Sequence, residues 1–193
     1  MRSRQTNKPD KYIVSECAKV LRDELPYNLH IFVNSVEFIA KVIDTLKLAP
    51  EAVKVVCSTS GESRQENQRK LGNAYPIGQP SDPAKKINFY TSTCFEGCDI
   101  FDPDGVTFIV SDGRKAHTLL DISTLFTQIC GRIRDSRYKA QIVHVYSTTK
   151  YSKAVTLDEF VAATQRTLAD AEKFASDINA VDEPSREKLL KKI

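Results

Sequence analysis

The chain has 193 residues, of which 41% are hydrophobic and 27% charged, an ordinary globular balance that argues against wholesale disorder. Its net charge of +3, with a pI near 8.5, permits a nucleic-acid partner but is less basic than a dedicated non-specific DNA binder would be. No apolar run approaches the ~18 residues of a membrane span and residues 1–10 hold no apolar signal core, so no membrane partner and a cytoplasmic location are expected.

Residues 1–9 read as a flexible lead-in. A first helix is predicted from near Asp10, with Val14, Cys17, Ala18, Leu21 and Leu25 at helical spacing and Pro26 as its stop. His30–Asn34 is a short apolar run of strand length. Ser35 is placed to cap a helix that carries Phe38, Ile39, Val42, Ile43 and Leu46 on one face. Val53–Cys57 reads as a second strand and the polar run from Glu62 to Lys70 as an exposed helix. Pro76, Gly78, Pro80 and Pro83 mark a loop over 72–86.

Ile87–Tyr90 and Val106–Val110 are the next strands. Asp121 is a candidate cap for a helix with Leu125, Phe126, Ile129 and, near its end, Ile133. Gln141–Tyr146 is the last strand. After Tyr151, a helical stripe of Leu157, Phe160, Val161, Leu168, Ala171, Phe174, Ala175 and Ile178 predicts a helical extension. A charged tail with Lys188, Lys191 and Lys192 follows Pro184. Short β-branched strands alternating with helices predict an α/β fold, a parallel sheet covered on both faces. In such sheets ligands gather at the carboxyl ends of the strands.

The cysteines are Cys17, Cys57, Cys94, Cys98 and Cys130. Only Cys94 and Cys98 are close, and no second Cys or His pair follows at zinc-site spacing, so reduced thiols and no metal site are expected. His30, His117 and His144 are widely spaced. His144 lies inside a predicted strand and reads as a packed residue, while His117 is a weaker candidate to line a site. The loop Asp112-Gly113-Arg114-Lys115 reads as solvated.

Two segments carry the chemistry. Thr91-Ser92-Thr93-Cys94-Phe95-Glu96-Gly97-Cys98-Asp99-Ile100 leaves a strand with three consecutive hydroxyls. Hydroxyls and amides at such a turn can hold phosphate oxygens, Gly97 permits close approach, and Asp99 can accept from a ribose hydroxyl. Downstream, Gln128-Ile129-Cys130-Gly131-Arg132-Ile133-Arg134 places guanidinium groups beside a glycine. A guanidinium is always charged and grips phosphate through two bonds at once.

Together these segments resemble motifs V and VI of the superfamily 2 helicases. Thr91 precedes Gly97-Cys98-Asp99-Ile100 at the spacing of motif V, with Glu96 where many members have Arg. Gln128, Gly131 and Arg132 match the Gln-x-x-Gly-Arg-x-x-Arg pattern of motif VI. The register position of its second Arg is Asp135 here, and Arg134 comes one residue early. Ile31–Ser35 resembles the looser motif IV, and Ser58-Thr59-Ser60-Gly61 a further backbone-contacting turn. The resemblance covers roughly residues 28–150.

The resemblance implies the C-terminal RecA-like domain of an ATP-dependent helicase or translocase, over 28–150, with 1–27 preceding it and 151–193 a helical extension. It implies catalytic roles for Arg132, as an arginine finger, and for Gln128 and Arg134. It implies that Gly97, Asp99 and Gly131 lie near the nucleotide. Asn34, Ser35, Thr91 and Ser92 would contact the nucleic-acid backbone, and DNA is mildly favoured by the Gly-Arg-x-Arg ending. No Gly-x-x-x-x-Gly-Lys-Ser/Thr loop occurs in the chain, so ATP and Mg2+ would be held mainly by an N-terminal RecA-like domain, and the chain alone is expected to be inactive. Two other readings stand beside it: a RecA-like nucleic-acid-binding or regulatory module without catalysis, and an unrelated α/β enzyme, for which no nucleophile elbow or dinucleotide fingerprint is present.

Overall fold

Along an extended strand successive side chains point to opposite faces, and the residues His30-Ile31-Phe32 are buried on both. Leu29 and Ile31 join one hydrophobic cluster, and Phe32 joins another. A strand apolar on both sides needs cover on both sides, which is the condition of a parallel sheet. The computed structural model describes residues 1–147 and 156–179. The chain divides into two units, Met1–Lys150 and Tyr151–Ile193.

In chain order the first unit contains β1 (Arg2–Gln5), α1 (Pro9–Leu21), β2 (Asn28–Phe32), α2 (Val36–Leu46), β3 (Val53–Val56), α3 (Gly61–Leu71), β4 (Ile87–Tyr90), β5 (Ile100–Phe101), β6 (Gly105–Asp112), α4 (Thr127–Cys130), β7 (Ile133–Arg134) and β8 (Ile142–Ser147). Six strands form one sheet in the order β1-β8-β6-β2-β4-β3, and every pairing in it is parallel. On one face Ile13, Cys17 and Val20 of α1, Phe38, Ile39, Val42 and Ile43 of α2, and Leu71 of α3 close over Leu29, Ile31, Ile87, Phe89, Val106 and Phe108. On the other face Phe32, Val56, Tyr90 and Ile109 are covered by shorter pieces: Cys94 and Phe95, Ile100 of β5, Phe126 and Ile129. The α/β class and the parallel sheet with helical cover are therefore as the alternation predicts.

Three local expectations are corrected. Residues 1–9 are not a flexible lead-in: Arg2–Gln5 pair with Val143–Tyr146 as an edge strand. That strand is all polar and carries no apolar alternation, so backbone pairing alone makes it. Helix α1 starts with Pro9 in its first turn and ends at Leu21, before Pro26; Asp23 beyond it takes φ 56°. The helix predicted from Asp121 to Ile133 is a π-helical turn, Ile122–Phe126, that runs into the single turn of α4. Ile133 belongs to β7, because its backbone pairs with Ile100 in a two-stranded ribbon.

In the second unit α5 (Leu157–Asn179) is one helix. Its start is a capping box: Thr156 Oγ1 accepts from the Glu159 amide at 3.3 Å, and the Glu159 carboxylate accepts from the Thr156 amide at 2.8 Å. The charged tail expected after Pro184 lies outside the described residues.

Candidate composite nucleotide and nucleic-acid site

Because all six strands run the same way, the turns that follow them share one edge. From β2 the chain turns toward β3, and from β6 it turns toward β8, so β2 and β6 flank the point where the strand order reverses. Asn34 sits there. Its amide nitrogen donates to the His117 carbonyl at 2.9 Å, and its amide oxygen accepts from the Ser92 backbone at 3.3 Å. One side chain thus ties the turn after β4 to the turn after β6.

Ser35 is engaged as the α2 cap, its hydroxyl accepting from the Phe38 amide at 3.2 Å. Thr91 is buried with its hydroxyl 3.3 Å from that of Thr93, while Ser92 and Thr93 are exposed. At the end of β6 the Asp112 carboxylate accepts from Arg114 at 3.0 and 3.1 Å and from the Ser147 hydroxyl at 2.7 Å. The Arg114 guanidinium and these donors hold the Asp112 carboxyl down at about 2. His117 is exposed, and its part here is its backbone carbonyl.

The two motif segments meet on the sheet face opposite α1–α3. After Thr91 the chain makes a 3-10 turn, Ser92–Cys94, and then turns at Gly97 with φ 70°, a conformation that favours glycine. It enters β5, which pairs with β7: Ile100 opposes Ile133 and Phe101 opposes Arg134. Arg132 reinforces the join. Its Nη1 donates to the Cys98 carbonyl at 3.0 Å, and its Nε donates to the Gln128 carbonyl at 3.0 Å. The Gln128 side chain is exposed.

The arginines differ in their charge partners. Arg134 pairs with Asp99 at 3.0 Å, and Arg137 pairs with Asp104. Arg132 is bound to carbonyl oxygens and has no carboxylate partner among the described residues. Gly131 has φ −97°, open to any residue, and a Cβ there would meet only the Gln128 carbonyl at 3.6 Å. Nothing among the described residues requires glycine at that position.

One cluster carries no sequence signal. Beneath the motif segments His30 Nε2 lies 2.7 Å from Asp102 Oδ2, which also accepts from the Asn28 amide at 3.0 Å; His30 Nδ1 lies 3.1 Å from the Tyr90 hydroxyl. Burial pushes the His30 imidazole below its ordinary value against the pull of Asp102. Burial works to raise the Asp102 carboxyl, but the bonds from His30 and Asn28 leave it lowered overall. The pair is therefore a neutral imidazole donating to a carboxylate, with Tyr90 donating to the other ring nitrogen. Gly105 makes room for the ring, since a Cβ there would sit 3.0 Å from His30. His30 reads in sequence as one more position of an apolar strand, and its partner is 72 residues away.

No helix among the described residues is long and apolar enough to cross a membrane. No protein-family model and no curated protein sequence matches the chain.

Proposed function

We propose that the unit Met1–Lys150 is the C-terminal RecA-like domain of a superfamily 2 helicase or translocase, and that it works with an N-terminal RecA-like domain of the same protein. The observation that carries this reading is Arg132, a guanidinium held on two backbone carbonyls with no carboxylate partner among the described residues, at the junction of the two motif segments. A cation fixed by neutral acceptors keeps its full charge for an incoming anion, which is what a finger on a γ-phosphate needs. Gln128, whose carbonyl holds Arg132 while the residue is exposed, and Gly131, which has room for a larger side chain, sit beside it, which suits a surface meant for a ligand or a second domain.

In this reading ATP supplies the phosphoanhydride bond whose cleavage drives movement. Arg132 stabilises charge as it builds on the γ-phosphate, with Arg134 as a second cation. Asp99 and Gly97 lie toward the sugar. The described residues hold no cluster of three or more metal-ligating side chains, which in this reading leaves Mg2+ with the companion domain. Thr91, Ser92 and the turn at Asn34 and Ser35 lie toward the nucleic-acid backbone, with DNA mildly favoured over RNA by the Gly-Arg-x-Arg ending. Since Asn34 and Ser35 spend their side chains on internal bonds, their part is to set the turn, and Ser92 presents the exposed hydroxyl.

A RecA-like module without catalysis is the second reading. It is favoured by the register position of the second motif arginine, which is Asp135, and by the pairing of Arg134 with Asp99. Steady-state ATPase measurements on the full-length protein, with and without single-stranded DNA, separate the two. DNA-stimulated hydrolysis supports the helicase reading; DNA binding with no hydrolysis supports the module. A robust ATPase rate from the 193-residue chain alone would overturn both.

A further inference from the structure

We propose that Cys94 and Cys98 are a modification site: a vicinal dithiol that closes to a reversible disulfide and, in closing, withdraws the carbonyl on which Arg132 is held. The disulfide itself is independent of the function proposed above, whereas its effect on turnover rests on that reading.

The geometry is local. The Cys98 thiol donates to the Cys94 carbonyl at 3.3 Å, which brings its sulfur onto the turn that carries Cys94. Gly97, with φ 70°, folds the chain back so that the contact forms. Cys94 is buried in the second-face cluster and Cys98 is half-buried at its margin. Cys17 and Cys57 belong to the cluster on the other face. The Cys98 carbonyl accepts from Arg132 Nη1 at 3.0 Å. A disulfide needs sulfurs about 2 Å apart and a dihedral near 90°, so forming it redirects the backbone at Cys98 and with it that carbonyl.

The chemistry balances with a small disulfide such as oxidised glutathione as oxidant. The Cys98 thiolate attacks one sulfur and expels a glutathione thiolate. Cys94 then attacks the Cys98 sulfur of the mixed disulfide and expels the second glutathione. The protein loses two electrons and two protons, and two glutathione thiols gain them. Burial and the neighbouring thiol push Cys94 up to about 12, so the more accessible Cys98 is the entry point and Cys94 resolves.

The test uses the native chain, oxidised glutathione, alkylation of remaining thiols and peptide mass spectrometry. The expected result is a loss of two hydrogen masses in the peptide holding both cysteines, reversed by dithiothreitol and abolished by Cys94→Ser or Cys98→Ser. A glutathione adduct on Cys98 that persists, or a bond from Cys98 to Cys130, overturns the site. Limited trypsin cleavage after Arg132 should be several-fold faster in the oxidised chain. An unchanged rate with the disulfide formed overturns the link to Arg132. In the full-length protein, oxidation should lower ATP turnover reversibly. If the reduced protein has no ATPase at all, the proposed function fails while the disulfide stands.

Discussion

His30 Nε2 and Asp102 Oδ2 lie 2.7 Å apart at the central strand β2, with the two side chains 0% and 4% exposed. Tyr90, on the other ring nitrogen, is the residue before Thr91, and Asp102 is the residue after Phe101. The imidazole therefore closes the base of the whole excursion from Thr91 to Phe101, which carries Gly97, Cys98 and Asp99. Buried polar groups satisfied in this way hold one geometry, because each lost bond leaves an orphan in a low-dielectric site.

Replacing His30 by Ala should destabilise the domain by about 3 kcal/mol, since it opens a cavity, leaves the buried Tyr90 hydroxyl without its ring partner and takes one of three donors from the buried Asp102 carboxylate. Urea unfolding measures the loss. Amide hydrogen exchange should rise first in residues 92–101. Equal rises across α1–α3 would show that His30 supports the fold generally and not this segment.

The same ring makes stability depend on pH. Its folded value is depressed by burial, so as pH falls through the unfolded value of about 6.5 the unfolded chain takes up a proton that the folded chain refuses. Stability is full above that pH and declines below it. His144, also depressed by burial, acts with the same sign. The lowered carboxyls of Asp102 and Asp112 add losses only in stronger acid, below the ordinary carboxylate range. Denaturation midpoints from pH 8 to pH 5 should therefore fall for the native chain and fall less for His30→Gln. Parallel curves would refute the assignment.

Gly97 and Gly131 should respond oppositely to alanine. Gly97 has φ 70°, so Gly97→Ala costs roughly 1 kcal/mol of strain even though a Cβ would meet nothing within 4 Å. Gly131 has an ordinary φ and room for a methyl group, so Gly131→Ala should leave the isolated chain unchanged within about 0.5 kcal/mol. If Gly131 faces the nucleotide, the same variant should nonetheless impair ATP turnover in the full-length protein. Thermal melts of the chain paired with ATPase assays of the whole protein check both halves.

Arg132 and Arg134 are separable by their partners. Arg134 already has Asp99, and that pair is about half exposed on both sides. Arg134→Ala should change stability by under about 1 kcal/mol, as exposed pairs do. Arg132→Ala should cut turnover in the full-length protein on the order of 10³-fold while sparing ATP binding. Arg134→Ala should cut it less. A larger effect at Arg134, or equal loss of ATP binding and turnover at Arg132, would reassign the finger.

The sequence by itself determined the strands β2, β3, β4, β6 and β8, the helices α2 and α3 between them, the Ser35 cap and the loop over 72–86. Each of these is set by chemistry within a few residues: periodicity, a capping hydroxyl, clustered Pro and Gly. What only the tertiary structure decided lies in contacts between distant segments. The polar Arg2–Gln5 becomes an edge strand because β8 offers it a ladder. Ile133 leaves the helical pattern because Ile100 pairs with it. His30, an apolar-strand position by sequence, meets Asp102 across 72 residues. Which of Arg132, Arg134 and Arg137 has no carboxylate partner among the described residues was likewise hidden, because Asp99 and Asp104 choose their partners through the fold of β5 against β7 and not through spacing along the chain. Local propensity acts within one segment; strand order, register and ion pairing are settled only when segments far apart in the chain are brought to the same face.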